Sequence, residues 1–170
     1  DYKERLSSLV ENDLSTVCID VAHGDHVLME EAIDYVRSNY PDLFVVAGNV
    51  ATGEGYKRLA AAGAHAVRTS IGSGSICTTR IQTGHGMPTF QAVLDCASAK
   101  ESLQESGEQN IPYIIADGGI KNSGDIVKSL AAGADFVMLG SMLSGTRETP
   151  GKVIIQDGKK MKRYNGMASK

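Results

Sequence analysis

Five short runs of apolar residues, separated by segments with helical periodicity, constrain the fold of this 170-residue chain most strongly. The runs cover residues 16–22, 44–50, 65–71, 113–119 and 135–141. Runs that are apolar almost without interruption are typical of strands in parallel sheets with both faces covered. Alternating strands and helices indicate an α/β fold, either an open doubly wound sheet or part of a (β/α)8 barrel.

Amphipathic stripes in the intervening segments predict the helices that cover this sheet. Ser123 is expected to cap the helix before the fifth run, with Val127 and Leu130 facing the core. In the helix before the fourth run, Phe90 and Leu94 are expected to belong to the buried stripe. Each predicted helix therefore has one apolar face that can pack against the sheet.

Composition and charge exclude several classes of protein. The net charge is −3 and the basic residues are scattered, so no nucleic-acid-binding surface is predicted. No apolar run approaches the roughly 20 residues needed to span a membrane. The three cysteines have no metal-ligand spacing, and we expect a protein of the reducing cytoplasm without disulfide bonds.

The segment IGSGSICTTR (71–80) places a cysteine at the end of a glycine-rich loop that follows the third run. Backbone without side chains can approach a ligand closely, so Cys77 is a candidate nucleophile. Thr79 is a candidate hydrogen-bond partner for a leaving group or a water. The alternative is a half-buried cysteine without chemistry. Cys18, inside an apolar run, and Cys96, on a helix face, are expected to be packing residues.

Polar residues and glycines follow the carboxyl ends of several runs, where ligands bind in both kinds of α/β fold. Asp117 can accept both hydroxyl groups of a ribose, or it can be an ordinary turn residue. Three run ends together favour a phosphorylated ligand, although any one glycine could simply end a strand. The candidate phosphate donors there are Ser75, Gly119, Gly140 and Ser141.

Two further strand ends carry polar side chains. Asp20 and His23 are expected to contact a cofactor or cap a helix, and a metal site with His26 is the weaker alternative. Asn49 is either a turn residue or a ligand contact.

Four segments together resemble the catalytic half of the IMP dehydrogenase / GMP reductase family. They are IGSGSICTTR, TGHGMP, IADGGIKNSGDIVKSLAAGADFVMLGSMLSGT and YNGMAS. The resemblance implies a (β/α)8 TIM barrel in which the five runs are the fourth to eighth strands. Residues 1–170 would form a partial catalytic barrel domain, with a hairpin-like segment at 152–165. Because the first three strands have no counterpart, we expect the chain to be part of a longer polypeptide.

The resemblance also implies roles for individual residues. Cys77 would attack C2 of a purine nucleotide, IMP or GMP, with assistance from Thr79. The substrate contacts would be Ser75, Asp117, Gly119, Gly140, Ser141, Tyr164, Gly166, Met167 and Ala168.

Cofactors and partners follow from the same resemblance. Asp20 and Asn49 would face the nicotinamide cofactor, NAD or NADP. The backbone carbonyls of Gly72, Gly74 and Cys77 would help to hold a potassium ion. The complete protein would be a homotetramer that binds neither nucleic acid nor membrane.

The chain departs from the family pattern at several positions. Ser70 stands where the family usually has glycine, and Ser73 where it usually has proline. Ala168 and the DVAHG segment favour a reductase, which would convert GMP to IMP with NADPH. Thr146 favours a dehydrogenase, which would oxidise IMP to XMP with NAD. We expect the dehydrogenase, with the reductase or an inactive nucleotide-binding barrel fragment as alternatives.

Overall fold

The computed structural model of the chain describes residues 2–166. Its helices in that range are α1 (Tyr2–Val10), α2 (Val27–Asn39), α3 (Gly53–Ala62), α4 (Thr79–Thr83), α5 (Thr89–Glu105) and α6 (Ser123–Ala131). Its strands are β1 (Thr16–Asp20), β2 (Phe44–Val50), β3 (Ala66–Thr69), β4 (Tyr113–Asp117), β5 (Phe136–Met138), β6 (Val153–Gln156) and β7 (Lys159–Lys162). The α/β class predicted from the apolar runs is confirmed.

The first five strands form a parallel sheet in which the order in space follows the order in the chain. Doubly wound sheets instead reverse their strand order at a switch point. No reversal occurs among β1–β5, so the arrangement is consistent with part of a (β/α)8 barrel. Because the strands are parallel, their carboxyl ends all lie at the same end of the sheet.

The two faces of this sheet have different surroundings. Val45 and Ile114 are fully buried on one face, in a core that includes side chains from α1, α2, α3 and α5. Side chains alternate between faces along a strand. The alternate positions, among them Phe44, Tyr113 and Phe136, are exposed on the opposite face. We call this second face the open face, and its side chains are available to ligands or to further parts of the protein.

The helix α6 differs from its prediction at its start and on its buried side. The side chain of Asn122, not Ser123, caps the helix, because its Oδ1 accepts a hydrogen bond of 3.0 Å from the Asp125 amide. Val127 and Leu130 are exposed rather than buried. Since α6 is the last helix of residues 2–166, no following helix covers its outer side.

The buried stripe of α5 is also displaced from its predicted position. Phe90 and Leu94 are exposed, and the small residues Ala92 and Ala99 are buried instead. A Cβ atom at Gly53 of α3 would lie 3.0 Å from the Cβ of Ala99. The two helices are therefore packed so closely that only small side chains fit between them.

An antiparallel hairpin of β6 and β7 follows the parallel sheet. Asp157 and Gly158 both have positive φ at its turn, as a type I′ turn requires. The Nζ atom of Lys162 donates hydrogen bonds to the carbonyls of Thr146, at 2.8 Å, and Thr149. These contacts fix the hairpin to the segment that follows β5. Within the described residues, none of the helices has the length and hydropathy that crossing a bilayer requires.

His65 lies at the amino end of β3 in a partly buried contact. Its Nδ1 accepts a hydrogen bond of 2.8 Å from the Val45 amide, and its ring stacks on Phe44 with centroids 4.9 Å apart. Arg37 Nη1 lies 3.2 Å from Nε2. Burial, and then the positive charge of Arg37, lower the pKa of His65 below its ordinary value.

We predict that the free energy of unfolding falls as the pH decreases below about 6.5, because the unfolded chain protonates His65 more readily than the folded chain. The stabilisation is complete above that pH and is lost as the pH falls to the folded-state pKa. Urea unfolding between pH 5 and 8 measures it. His65→Gln should flatten this part of the profile, whereas His85→Gln, in an exposed loop, should preserve it. An unchanged profile in His65→Gln would contradict the assignment.

Candidate active site

The carboxyl ends of β1–β4 and the loop after β3 surround an open cavity of about 420 Å³. Volumes of about 300–1,000 Å³ are typical of small-molecule sites. Many predicted site residues line this cavity, namely Asp20, Asn49, Gly72, Gly74, Cys77, Thr79, Asp117 and Gly166. Residues that are distant in the sequence thus meet at one end of the sheet.

Arg68, in the middle of β3, holds two of these residues in place. Its Nη2 lies 2.7 Å from Asp117 Oδ2, and its Nη1 lies 2.7 Å from Asp20 Oδ1. The Arg68 side chain is only 11% exposed. Burial alone would lower the pKa of this guanidinium, but the attraction of Asp117, followed by that of Asp20, outweighs burial and raises the pKa. The carboxylates therefore have fixed positions at the cavity.

Gly48 explains how Arg68 reaches a carboxylate two strands away. Gly48 of β2 is aligned with Asp20 on β1 and with Arg68 on β3. A Cβ atom at position 48 would lie 2.7 Å from the Cβ of Arg68, closer than real Cβ atoms approach. Only glycine leaves room for the arginine side chain to cross β2.

No role for Arg68 or Gly48 was predicted from the sequence. Two signals in the sequence could have indicated these roles. Arg68 is a single charged residue inside an apolar strand, and Gly48 is a glycine in a strand interior, which often marks a close approach of another group to the backbone. Neither signal identifies the partners, because these come from β1 and β4.

Asn49 and Asp117 each present an acceptor that the described residues leave unused. Asn49 Nδ2 donates to Asp117 Oδ2 at 2.9 Å and to the Ser70 carbonyl at 3.0 Å. Its Oδ1 is buried and has no hydrogen-bond partner among residues 2–166. In the same range, Asp117 Oδ1 makes no hydrogen bond, since both side-chain contacts use Oδ2. A buried acceptor without a donor is costly, so a ligand that supplies N–H or O–H groups would fit here.

The loop that carries Cys77 is held from several sides. The Cys77 amide donates to the Gly74 carbonyl at 3.0 Å, and Ser73 Oγ donates to the Met87 carbonyl at 3.0 Å. A Cβ atom at Gly118 would lie 2.8 Å from the Gly74 nitrogen, so the β4 end packs directly on this loop. Cys77 is half-buried in the cavity wall. The predicted nucleophile therefore lies on a well-fixed loop and is partly accessible to the cavity.

The other two cysteines differ from each other. Cys96 is buried, as predicted, and burial followed by the charges of Asp95 and Glu54 raises the pKa of its thiol to about 12. The prediction that Cys18 packs in the core is wrong, because Cys18 alternates with core residues of β1 and is exposed on the open face. Its Sγ lies 3.6 Å from Arg68 Nη1.

Among residues 2–166, the other predicted substrate contacts do not line the 420 Å³ cavity. Gly140 and Tyr164 are adjacent, since a Cβ atom at position 140 would lie 2.5 Å from the Tyr164 hydroxyl. Gly119 lines a neighbouring cavity of about 300 Å³. Ser75 and Ser141 are exposed. The structure therefore groups these positions less tightly than those around Cys77.

Two further predicted substrate contacts, Met167 and Ala168, lie outside the described residues.

The weaker alternative of a metal site at Asp20, His23 and His26 finds no support. Residues 2–166 contain no group of three or more His, Cys, Asp or Glu side chains that could hold a metal ion. These three residues border a separate, largely apolar cavity of about 730 Å³ between α1, α2 and β1. His26 caps α2 instead, with Nδ1 accepting from the Leu28 amide at 3.1 Å.

Comparison with known proteins gives consistent matches over the whole chain. A family model described as the IMP dehydrogenase / GMP reductase domain matches residues 1–170. An inosine-5'-monophosphate dehydrogenase of Aquifex aeolicus is 49% identical over 166 residues, which cover 98% of this chain and 32% of the relative. Proteins of the same name from Halalkalibacterium halodurans and Bacillus subtilis are 49% and 46% identical over 169 residues. Each of these alignments covers 99% of this chain and 33% of the relative. The chain thus spans about a third of the length of these curated relatives.

We predict that Arg68→Gln lowers the free energy of unfolding by about 3 kcal/mol, because it leaves two carboxylates without their buried counter-charge. Arg58→Gln is the matched control, since Arg58 also pairs with an aspartate, Asp25, but at an exposed position. Exposed pairs contribute little to stability, so this variant should unfold almost as the unaltered protein does. Urea denaturation of both variants provides the comparison, and equal losses would argue against a special role for Arg68.

A second variant tests the passage across β2. We predict that Gly48→Ala costs about 1–3 kcal/mol of unfolding free energy, because the added methyl group overlaps the Arg68 side chain. Gly145→Ala places a methyl group in open space and should be nearly neutral. Thermal unfolding of the two variants tests this difference. Gly48→Ala at control stability would show that the strand can shift to admit a side chain.

Proposed function

Because the chain belongs to the IMP dehydrogenase / GMP reductase family, we propose that it is part of a purine nucleotide oxidoreductase that oxidises IMP to XMP with NAD. The observation that carries this proposal is the convergence of Cys77, Asp117 and Asn49 on one cavity at the strand ends. The dehydrogenase names of the relatives also favour this reaction over the reductase.

In this proposal, Cys77 provides the covalent step. Its thiolate forms a C–S bond to C2 of the purine ring, and the hydrogen of C2 leaves with its electron pair as hydride. The oxygen of a water molecule then bonds to C2, the C–S bond breaks, and XMP and the free thiol are released. Thr79, two residues from Cys77, can hydrogen-bond the departing sulfur or the water.

Asp117 would bind the ribose of the nucleotide. Arg68 and Asn49 occupy its Oδ2, so Oδ1 can accept hydrogen bonds from the ribose hydroxyls. The phosphate would lie beyond the ribose, where backbone amides and hydroxyls can donate to it. The proposed phosphate donors are Gly140, Ser75, Gly119 and Ser141, and the adjacency of Gly140 and Tyr164 supports this placement. Tyr164, Gly166, Met167 and Ala168 would contact either the phosphate or the base.

The residues around Asn49 fit a nicotinamide ring. Asn49 Oδ1 lacks a donor among residues 2–166, and the carboxamide of nicotinamide has N–H groups of the required type. Asp20 is 46% exposed at the same cavity and can accept from the same group or from a hydroxyl. When bound, the nicotinamide supplies the hydride acceptor.

A potassium site is proposed at the turn that carries the nucleophile. Potassium ions are bound in proteins by backbone carbonyl oxygens. Gly72, Gly74 and Cys77 place three such carbonyls within six residues. The Gly74 carbonyl already accepts from the Cys77 amide, but an oxygen with two lone pairs can also face a cation. These residues fit part of a potassium coordination shell.

Family membership supports several further proposals. The complete protein is a homotetramer, it acts in the cytoplasm, and residues 1–170 belong to its catalytic barrel domain with the hairpin at 152–165. Its small-molecule partner is IMP, and no nucleic acid or membrane takes part.

We predict that the protein at its native length, in potassium buffer, increases nicotinamide absorbance when given IMP and NAD⁺. A parallel mixture of GMP and NADPH should show no decrease. A decrease there, without the increase in the first mixture, would instead identify a reductase. No change in absorbance in either mixture would contradict the proposed activity.

Cys77→Ala should abolish this turnover and leave IMP affinity largely unchanged, because only the covalent step is lost. Cys96→Ala, at a cysteine buried away from the cavity, is the control and should remain active. Calorimetric titration with IMP measures the affinity. Turnover that survives in Cys77→Ala would remove this cysteine from the mechanism.

A further inference from the structure

Ser70 combines burial with a backbone conformation that side chains disfavour. It is 2% exposed, and its φ is 95°, in the left-handed region that favours glycine. A residue other than glycine at such an angle is strained, and surrounding contacts must compensate for the strain. The contacts of the Ser70 side chain therefore indicate what stabilises this conformation.

Hydrogen bonds tie Ser70 to the strands on both sides of β3. Its Oγ donates to the backbone carbonyl of Asp117, at the end of β4. Its own carbonyl accepts from Asn49 Nδ2 at 3.0 Å, and its amide donates to the Val50 carbonyl at 2.8 Å, both in β2. One residue thus connects the carboxyl ends of three neighbouring strands.

The hydrogen bonds form a closed ring. The Asn49 Nδ2 that donates to the Ser70 carbonyl also donates to Asp117 Oδ2 at 2.9 Å. Ser70, Asn49 and Asp117 therefore hold one another in position. The loop that carries Cys77 begins at the residue after Ser70, so the ring fixes where that loop leaves the sheet relative to the Asp117 carboxylate.

We infer that Ser70 is a positioning residue whose hydroxyl aligns the Cys77 loop with Asp117. The inference rests on the proposed function, in which a nucleotide bonded to Cys77 at its base is held by Asp117 at its ribose. Ser70 acts through these two residues. Glycine would fit this backbone conformation without strain, but it has no hydroxyl to donate to the Asp117 carbonyl.

Two variants at position 70 separate the hydroxyl from the strain. Ser70→Gly removes both the hydroxyl and the strained Cβ, whereas Ser70→Ala removes the hydroxyl and keeps the Cβ. Both should lower kcat by about 10- to 100-fold, the range in which small misplacements of reacting groups act. The KM for IMP should change much less, because Asp117 is still present. Ser70→Gly should be the more thermally stable of the two.

Thr69→Val is the matched control. Thr69 is also buried and also donates to a β4 carbonyl, that of Ile115 at 3.3 Å, but it faces the core. Its kcat should stay near that of the unaltered protein. A normal kcat in Ser70→Gly would overturn the inference. A low kcat in Ser70→Ala with a normal kcat in Ser70→Gly would also overturn it, because strain alone would then explain the loss.

A measurement without nucleotide keeps this inference separate from the proposed function. Iodoacetamide alkylation of each cysteine is followed by peptide mass spectrometry in the unaltered protein and in Ser70→Gly. We expect the Cys77 rate to rise severalfold in the variant, while the rate of Cys18, on β1, stays the same. Equal Cys77 rates would overturn the positioning role even if turnover were absent. Failure of IMP to protect Cys77 in the unaltered protein would count against the proposed function alone.

Discussion

The burial of one positive charge, on Arg68, organises the end of the sheet where the cavity lies. A guanidinium removed from water needs counter-charges and hydrogen-bond acceptors, and Asp20 and Asp117 supply both to its Nη atoms from strands on opposite sides of β3. The pairing holds β1, β3 and β4 at one relative position. The same carboxylates line the candidate cavity, so one set of contacts meets the electrostatic requirement of the fold and sets the geometry of the cavity.

Absent side chains are as important to this site as the charged ones. Gly48 leaves the space through which Arg68 crosses β2, and Gly118 lets the end of β4 touch the backbone at Gly74. Backbone-to-backbone packing cannot change by rotamer adjustment, unlike contacts between long side chains. The Cys77 loop is therefore fixed more firmly than its position outside regular structure would suggest.

The sequence was sufficient for the existence and order of the five parallel strands, because buried parallel strands are apolar along their whole length. Four of the predicted runs extend two or three residues past the carboxyl ends of their strands. The sequence was insufficient where tertiary packing decides. Val127 is apolar but exposed, since burial in α6 depends on which neighbours exist. Helix α4 carries no apolar stripe and was not predicted. The role of Arg68 depends on partners in other strands, which no local pattern reveals. The sequence likewise could not predict the orientations of the side chains near Cys77.

The agreement between strand order and chain order has a consequence for assembly. Each strand can pair with the one synthesised just before it, so the sheet can grow at one edge as the chain emerges, and no strand has to insert between two others. Asp20 is already present when β3 adds to this edge, but Asp117 arrives only with β4. We therefore expect the charge of Arg68 to be balanced in two stages. The Cys77 loop, which lies between β3 and β4 in the chain, would then reach its final position late, after β1–β3 have paired.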